Sequence, residues 1–287
     1  LKTNKDRLVM LSVKGKVSHP VKGNGYTVTH EGEPVLLPGV GGITYNVKVG
    51  DNCMKWVGDH VEPGVSIKLD EEKDNNALNI LACIGNKAIV RTGDAKGAEG
   101  FVTGKHGGIE HVLIYFDDET LEKLNIGDEI LIKSIGQGLA IEEMPEVKVM
   151  NLDPELLEKM NLKFDGELLE VPVVAEIPAE LMGSGLGAYT AARGDYDLTT
   201  ADPEVLCQYG LENLRFGDLV ALLDTDNSYG RCFKKGAVSI GVVVHSNCVI
   251  AGHGPGITTI FTSAKGKIRP VRFEKANIAY YMGVRDF

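Results

Sequence analysis

The sequence predicts a mainly β protein with a few short helices, folded as two closely packed parts. Three observations carry that expectation. Glycine is abundant, at 35 of 287 residues, against a usual share of about 7 %, so the chain can turn tightly and often. Short Val- and Ile-rich runs recur between Gly, Pro, Asn and Asp clusters, the pattern of strands joined by turns. At IEEMPEVKVMNLDPE, residues 141–155, patterning relaxes and acids and proline gather, which marks a joint between a part spanning 1–145 and a part spanning 146–287.

In the first part, residues 8–13 and 26–30 read as short strands. ITYNVKV, residues 43–49, alternates with Ile43, Tyr45, Val47 and Val49 on one face and reads as a half-buried strand. The preceding PGVGG lacks the lysine of a phosphate loop and no helix follows it, so a phosphate cradle is not expected. DEEKDNNA, residues 70–77, reads as an acidic loop. Asp59 and His60 read as turn formers, with a ligand pair as the other option. Residues 88–91, 101–103 and 111–116 form three strands around GDAKGAEG and GKHGG. This segment resembles the short core of SH3-like barrels in ribosomal and transcription proteins, which implies a barrel. His106 and His111 flank its second turn and read as solvated turn residues, with metal or substrate contact as the other option. Residues 117–126 then form one short helix, capped by Asp117 or Asp118.

In the second part, Asp153 caps a helix that Pro154 opens, and Asp202-Pro203 repeats that signal before EVLCQY and Gly210. GSGLG, residues 183–187, has the wrong spacing for a dinucleotide fingerprint, and no long helix follows. The stretch 214–263 organises the rest. Strands are expected over 218–223, 237–245 and 256–262, with ionisable residues crowded at their ends. That is how a scaffold presents a site.

Six side chains are the candidates for chemistry. Asp195 and Asp197 sit two apart, as do Asp224 and Asp226, so an extended backbone puts each pair on one face. Such pairs suit a hard cation or acid–base work, although DTDNSYG is also plain turn sequence. His245 ends a strand on its smaller, more polar face. His253 stands between glycines in AGHGPG with little packing of its own. The catalytic expectation is Asp224, Asp226, His245 and His253, with Asp224, His245 and His253 holding a divalent metal ion. Arg193, Asp195, Asp197 and Arg231 are expected to contact substrate.

Composition limits the partners. The formal charge is −10, which repels phosphate backbones and argues against nucleic acid. Five scattered cysteines without a Cys-x-x-Cys suit reduced, buried thiols in a cytoplasm. No apolar run approaches the roughly 20 residues of a membrane helix. A small-molecule ligand and a homo-oligomer are the partners expected.

Two resemblances follow from the motifs. PGVGGITYNVKVGD, GDAKGAEGFVTGKHGGIEH, GDYD, FGDLVALLD and the GVVVH to AGHGPG segment are similar to a bacterial family catalogued as domain of unknown function 4438. That implies a β-rich, two-part fold and no particular activity. GDYD followed by FGDLVALLDTD is also similar to acetamidase/formamidase-type hydrolases, though Val220 stands where that family has a histidine and its G-D-G-E is absent. The six candidate side chains, rather than these resemblances, point to an enzyme acting on a small polar metabolite, with metal-assisted hydrolysis as the expected chemistry, or else to a non-catalytic ligand-binding or assembly module.

Overall fold

Six strands close into a barrel in the first half of the chain. They are β1 (Leu11–Val17), β2 (Gly64–Lys68), β3 (Lys87–Val90), β4 (Glu99–His106), β5 (His111–Tyr115) and β6 (Glu129–Ser134). The order is β1-β6-β3-β4-β5-β2, and β2 pairs back to β1 through Lys16 and Val17. The computed structural model describes residues 1–23, 25–185 and 190–287. Val17, Ile67, Val102, Val112, Ile114, Ile130 and Ile132 fill the barrel. They are the β-branched, alternating positions that make these runs strands.

The second half is built on β7 (Ala175–Ile177), β8 (Leu219–Asp226), β9 (Cys232–Val243) and β10 (Gly256–Ser263), in the order β10-β9-β8-β7. Lys148–Val149 and Tyr196–Asp197 both pair with β10. All eight residues of β10 are buried. Its hydroxyls find partners there: Thr259 accepts from Asn227 at 2.8 Å, and Thr258 donates to the Lys105 carbonyl at 3.0 Å. The two halves share one apolar core, in which Phe101 and Leu113 from the barrel meet Leu219, Val242, Val244 and Ile260.

One close approach matters for function. A Cβ on Gly104 of β4 would lie 2.3 Å from Val244 Cγ1. Only a residue without a side chain lets the end of β9 settle against the end of β4. His106 and His245 are thereby brought together.

The structure corrects three local expectations. DEEKDNNA is not a loop: Glu72–Leu81 is a helix, α1. Its buried face carries Asn75 and Asn79, which both donate to the Glu110 carbonyl at 3.1 Å, so hydrophobic periodicity could not reveal it. ITYNVKV is strand only at Ile43–Thr44. Beyond it the chain leaves the barrel to pair with the other half, Gly50 donating to the Phe216 carbonyl and Cys53 to that of Leu214. All five cysteines are free, but Cys207 and Cys232 are exposed, not buried. The GSGLG run is described only through Gly185; Leu186 and Gly187 lie outside the described residues. Among the described residues no helix is long and apolar enough to cross a membrane.

Candidate functional site

Four segments meet where the halves touch. The first is the loop 59–62, locked to the second half by a reciprocal pair: Val61 N donates to Ser246 Oγ at 2.8 Å, and Ser246 N to Val61 O at 2.9 Å. His60 there takes a left-handed backbone, φ 51°. The second is the β4–β5 hairpin, where His106 and His111 face each other across the ladder. The third carries Asp195 and Asp197 into β10. The fourth runs from the end of β9 to β10 and holds His245, Cys248 and His253.

The side chains converge tightly. His245 Nε2 lies 2.8 Å from Asp195 Oδ2 and 3.3 Å from Asp197 Oδ1. His253 Nδ1 lies 2.8 Å from Asp197 Oδ2, and His60 Nε2 lies 3.4 Å from the same oxygen. The His106 and His245 rings are 4.3 Å apart. Behind them, His60 Nδ1 donates to Asp59 at 2.6 Å. His106 and Ser66 donate to Glu62, and His111 does so at 2.9 Å. His245 Nδ1 donates to the Ser246 carbonyl at 2.9 Å.

That pattern has a chemical meaning. In His60, His106 and His245 the Nδ1 is held by a carboxylate or a carbonyl, which leaves Nε2 with its lone pair toward the centre. Metal-binding histidines are held in this way, because the outer hydrogen bond fixes both tautomer and ring. Moreover, Asp195 Oδ2 and His245 Nε2 are buried and lack the alignment of a hydrogen bond despite their 2.8 Å approach. A bare imidazole lone pair facing a carboxylate is repulsive, so this pair is held either by a proton on Nε2 or by a metal ion that both atoms ligate. The groups His60/Asp197/His253 and His106/Asp195/His245 each offer three ligand atoms close enough to share an ion. The donor set fits a divalent transition metal better than calcium or magnesium, which prefer all-oxygen sites.

Without an ion, protons supply the charge. Burial would lower the pKa of His245, but the facing Asp195 and Asp197 outweigh it and push it up to about 10. His60, also opposed by burial, is pushed up to about 12 by Asp197 and Asp59. Burial would raise Asp197 and Glu62, yet the surrounding imidazoles hold both well below the usual carboxylate range. A raised histidine stabilises the fold fully below its ordinary value of 6.5, and that contribution is lost as pH rises through the folded pKa. Lys105, pushed down to about 8 by burial, acts in the opposite sense above that pH. The ion-free protein is therefore expected to lose thermal stability between pH 6.5 and about 8. The metal-loaded protein should not, since its imidazoles carry no such proton. Calorimetry of both forms across that window checks this, and a flat profile for the ion-free form would refute it.

The cluster opens into a cavity of about 290 Å³ whose lining includes Asp59, His60, His106, Gly107 and Lys22. Asp195 is steered from the same rim, accepting from Gly107 N at 2.7 Å.

Of the residues singled out from the sequence, His245, His253, Asp195 and Asp197 stand in this cluster. Asp224 and Asp226 do not. Leu219 of β8 pairs with Val242 beside His245, and the aspartates lie at the strand's other end, roughly 20 Å away at about 3.3 Å per residue. There Asp224 accepts from Gly236 N at 2.6 Å, and Asp226 accepts from Ser228 N at 3.0 Å and Ser228 Oγ at 2.7 Å. Asp224 serves a strand bulge and Asp226 a turn. Arg231 donates to the Gly183 carbonyl at 2.7 Å. Arg193 is held by Asn76 and lies 3.6 Å from Glu110. Sequence reasoning missed Glu62 and read His60 and His106 as turn residues first, with ligation as the other option. One signal was present: a hairpin over GKHGG sets His106 opposite His111, and both prove buried.

Two family models match adjoining stretches of the chain. The N-terminal model of the domain of unknown function DUF4438 matches residues 26–158, and the C-terminal model matches 158–282. A solved structure titled "Crystal structure of TM1086" is 53 % identical, with a TM-score of 0.93 over 98 % of both chains. No curated protein matches the chain.

Proposed function

Because the chain belongs to the DUF4438 family, whose description names no reaction, we propose from the site itself that it is a metal-dependent hydrolase of a small polar metabolite. The observation that carries this reading is the set of three imidazoles, His60, His106 and His245, each fixed through Nδ1, with Nε2 of His60 and His245 on Asp197 and Asp195 and His106 grouped with Asp195 and His245. A bound divalent ion would polarise the scissile carbonyl and bring the pKa of water toward neutrality. The chain supplies the rest. Asp195 and Asp197 would hold the ion together with the imidazoles, their negative charge offsetting its own. Asp59 and Glu62 keep the imidazoles in place. The small cavity limits substrate size, and Lys22 on its lining favours an anionic or strongly polar group. The likeness of GDYD and FGDLVALLDTD to acetamidase/formamidase-type hydrolases supports amides as the first substrates to try.

The test is elemental mass spectrometry on untagged protein, with His253→Ala as the comparison, followed by a panel of small amides and esters. Bound transition metal, diminished in the variant, and hydrolysis that chelation abolishes and metal restores are expected. Protein that takes up no metal, or hydrolysis indifferent to chelation, would overturn the reading. Free thiols at all five cysteines suit a reducing cytoplasm. Self-association is expected as well, because Tyr26, Val28 and Leu36 are strongly exposed around the short 27–35 hairpin. A monomer mass in sedimentation at micromolar concentration would count against it.

A further inference from the structure

The cluster holds more donors than one ion can use. His60, His106, His245 and His253 bring four imidazole nitrogens. Asp195 Oδ2 and both oxygens of Asp197 bring three carboxylate oxygens. A zinc-like ion takes about four such ligands. The donors also fall into two groups, His60/Asp197/His253 and His106/Asp195/His245, each with its ligand atoms within 4.8 Å of one another. Asp197 touches both: Oδ2 lies 2.8 Å from His253 Nδ1, and Oδ1 lies 3.3 Å from His245 Nε2.

The groups differ in surroundings. His106, Asp195 and His245 are all buried, and two of the polar atoms there, Asp195 Oδ2 and His245 Nε2, have no hydrogen-bond partner. In the other group the His253 side chain is 32 % exposed and His60 lines the cavity. Resting on the reading of the cluster as a metal site, we infer that it is a two-ion centre for divalent first-row transition metals, with Asp197 as the bridging carboxylate. The inner ion sits between His106, Asp195 and His245. The outer ion, held by His60 and His253, faces the cavity and exchanges more readily. Imidazole-rich ligation selects zinc, iron, nickel or copper over calcium and magnesium. Two ions sharing a carboxylate can clamp both the attacking and the leaving oxygen of a displacement.

A third group, Asp59/His60/Cys248, is close enough to bind an ion too. There, however, the Cys248 thiol donates to Asp59 at 3.3 Å and Asp59 accepts from His60 at 2.6 Å. These hydrogen bonds make Asp59 the support of His60 and leave Cys248 outside the centre.

The experiment uses the full chain stripped with chelator and titrated with Co(II), bound metal being counted per chain after desalting. Wild type is expected to bind two equivalents, the second more weakly. The two-equivalent form should show less paramagnetic signal per ion than the one-equivalent form, because the shared carboxylate couples the spins. His253→Ala, a change at the most exposed ligand, and Asp197→Ala should each lose the weaker ion, with the circular dichroism spectrum confirming that they fold. Wild type saturating at one equivalent would overturn the two-ion centre and leave the metal-dependent hydrolase standing. Two ions with undiminished signal would overturn the bridge. Loss of an ion in Cys248→Ala would overturn the ligand assignment. No bound Co(II) at all would remove the metal reading altogether.

Discussion

Replacing Gly256 with alanine is expected to abolish metal binding and hydrolysis while the chain still folds. A Cβ there would stand 1.8 Å from Asp195 Oδ2 and 2.2 Å from His245 Nε2. Neither side chain has room to give way. His245 is fully buried and tied to the Ser246 carbonyl, and Asp195 is tied to Gly107 N. Gly256 does not have a left-handed backbone, so alanine suits the strand and the damage falls on the ligands. A displacement of about 1 Å at a reacting centre can cost on the order of a hundredfold in rate, and here two ligands move together. Metal content and turnover are the measurements. Gly185→Ala serves as the control, since no described residue lies within 4 Å of a Cβ at that position. Wild-type metal content in Gly256→Ala would show that the ligands are not where the geometry puts them.

Glu62→Gln should have the second largest effect. Glu62 is buried and accepts from His106, His111 and Ser66 together. Glutamine keeps the shape, removes the charge, and turns one acceptor into a donor aimed at groups that are themselves donors. His106 then loses the partner that fixes its tautomer. Losing such an outer partner typically weakens metal affinity by about 10–100-fold. Breaking a buried ion pair from one side costs about 3–5 kcal/mol, so the chelated protein should also unfold at lower denaturant concentration. Competition against a chelator reads the first effect and urea denaturation the second. Unchanged affinity would mean that His106 is not a ligand.

Parts of this arrangement are legible in the residues alone. GDAKGAEG and GKHGG identify the barrel strands because glycine and aspartate in fixed places admit only a few turns. Asp153-Pro154 and Asp202-Pro203 locate two helices, and Asp153 and Asp202 do accept from the following amides. The i, i+2 spacing of Asp195 and Asp197 and the strand-end position of His245 follow from the two-residue period of strands. Asp224 and Asp226 carry the same spacing and serve a strand bulge and a turn. A carboxylate that accepts from its own backbone and one that meets a histidine from another strand look alike in sequence. α1 was hidden for a related reason: two of its three buried residues are asparagines, and their value lies in reaching the carbonyl of Glu110, 35 and 31 residues away.

By itself, then, the sequence determined the β-rich class, the barrel segment, the helix starts, and the half of the site that lies near His245. Local rules decide those features, since turn geometry and strand periodicity act over a few residues. Only the tertiary structure decided that His60, Glu62 and His106 complete the site, and that the Asp195 pair belongs to it while the Asp224 pair does not. His60 and His253 are 193 residues apart in the chain, yet 3.3 Å separates their nitrogens. Whether an imidazole is a solvated turn residue or a ligand depends on the groups that face it once the halves pack. That depends in turn on a glycine at 104 letting β4 and β9 close up. No local pattern encodes such a contact, because its energy comes from side chains that are neighbours only in the folded state.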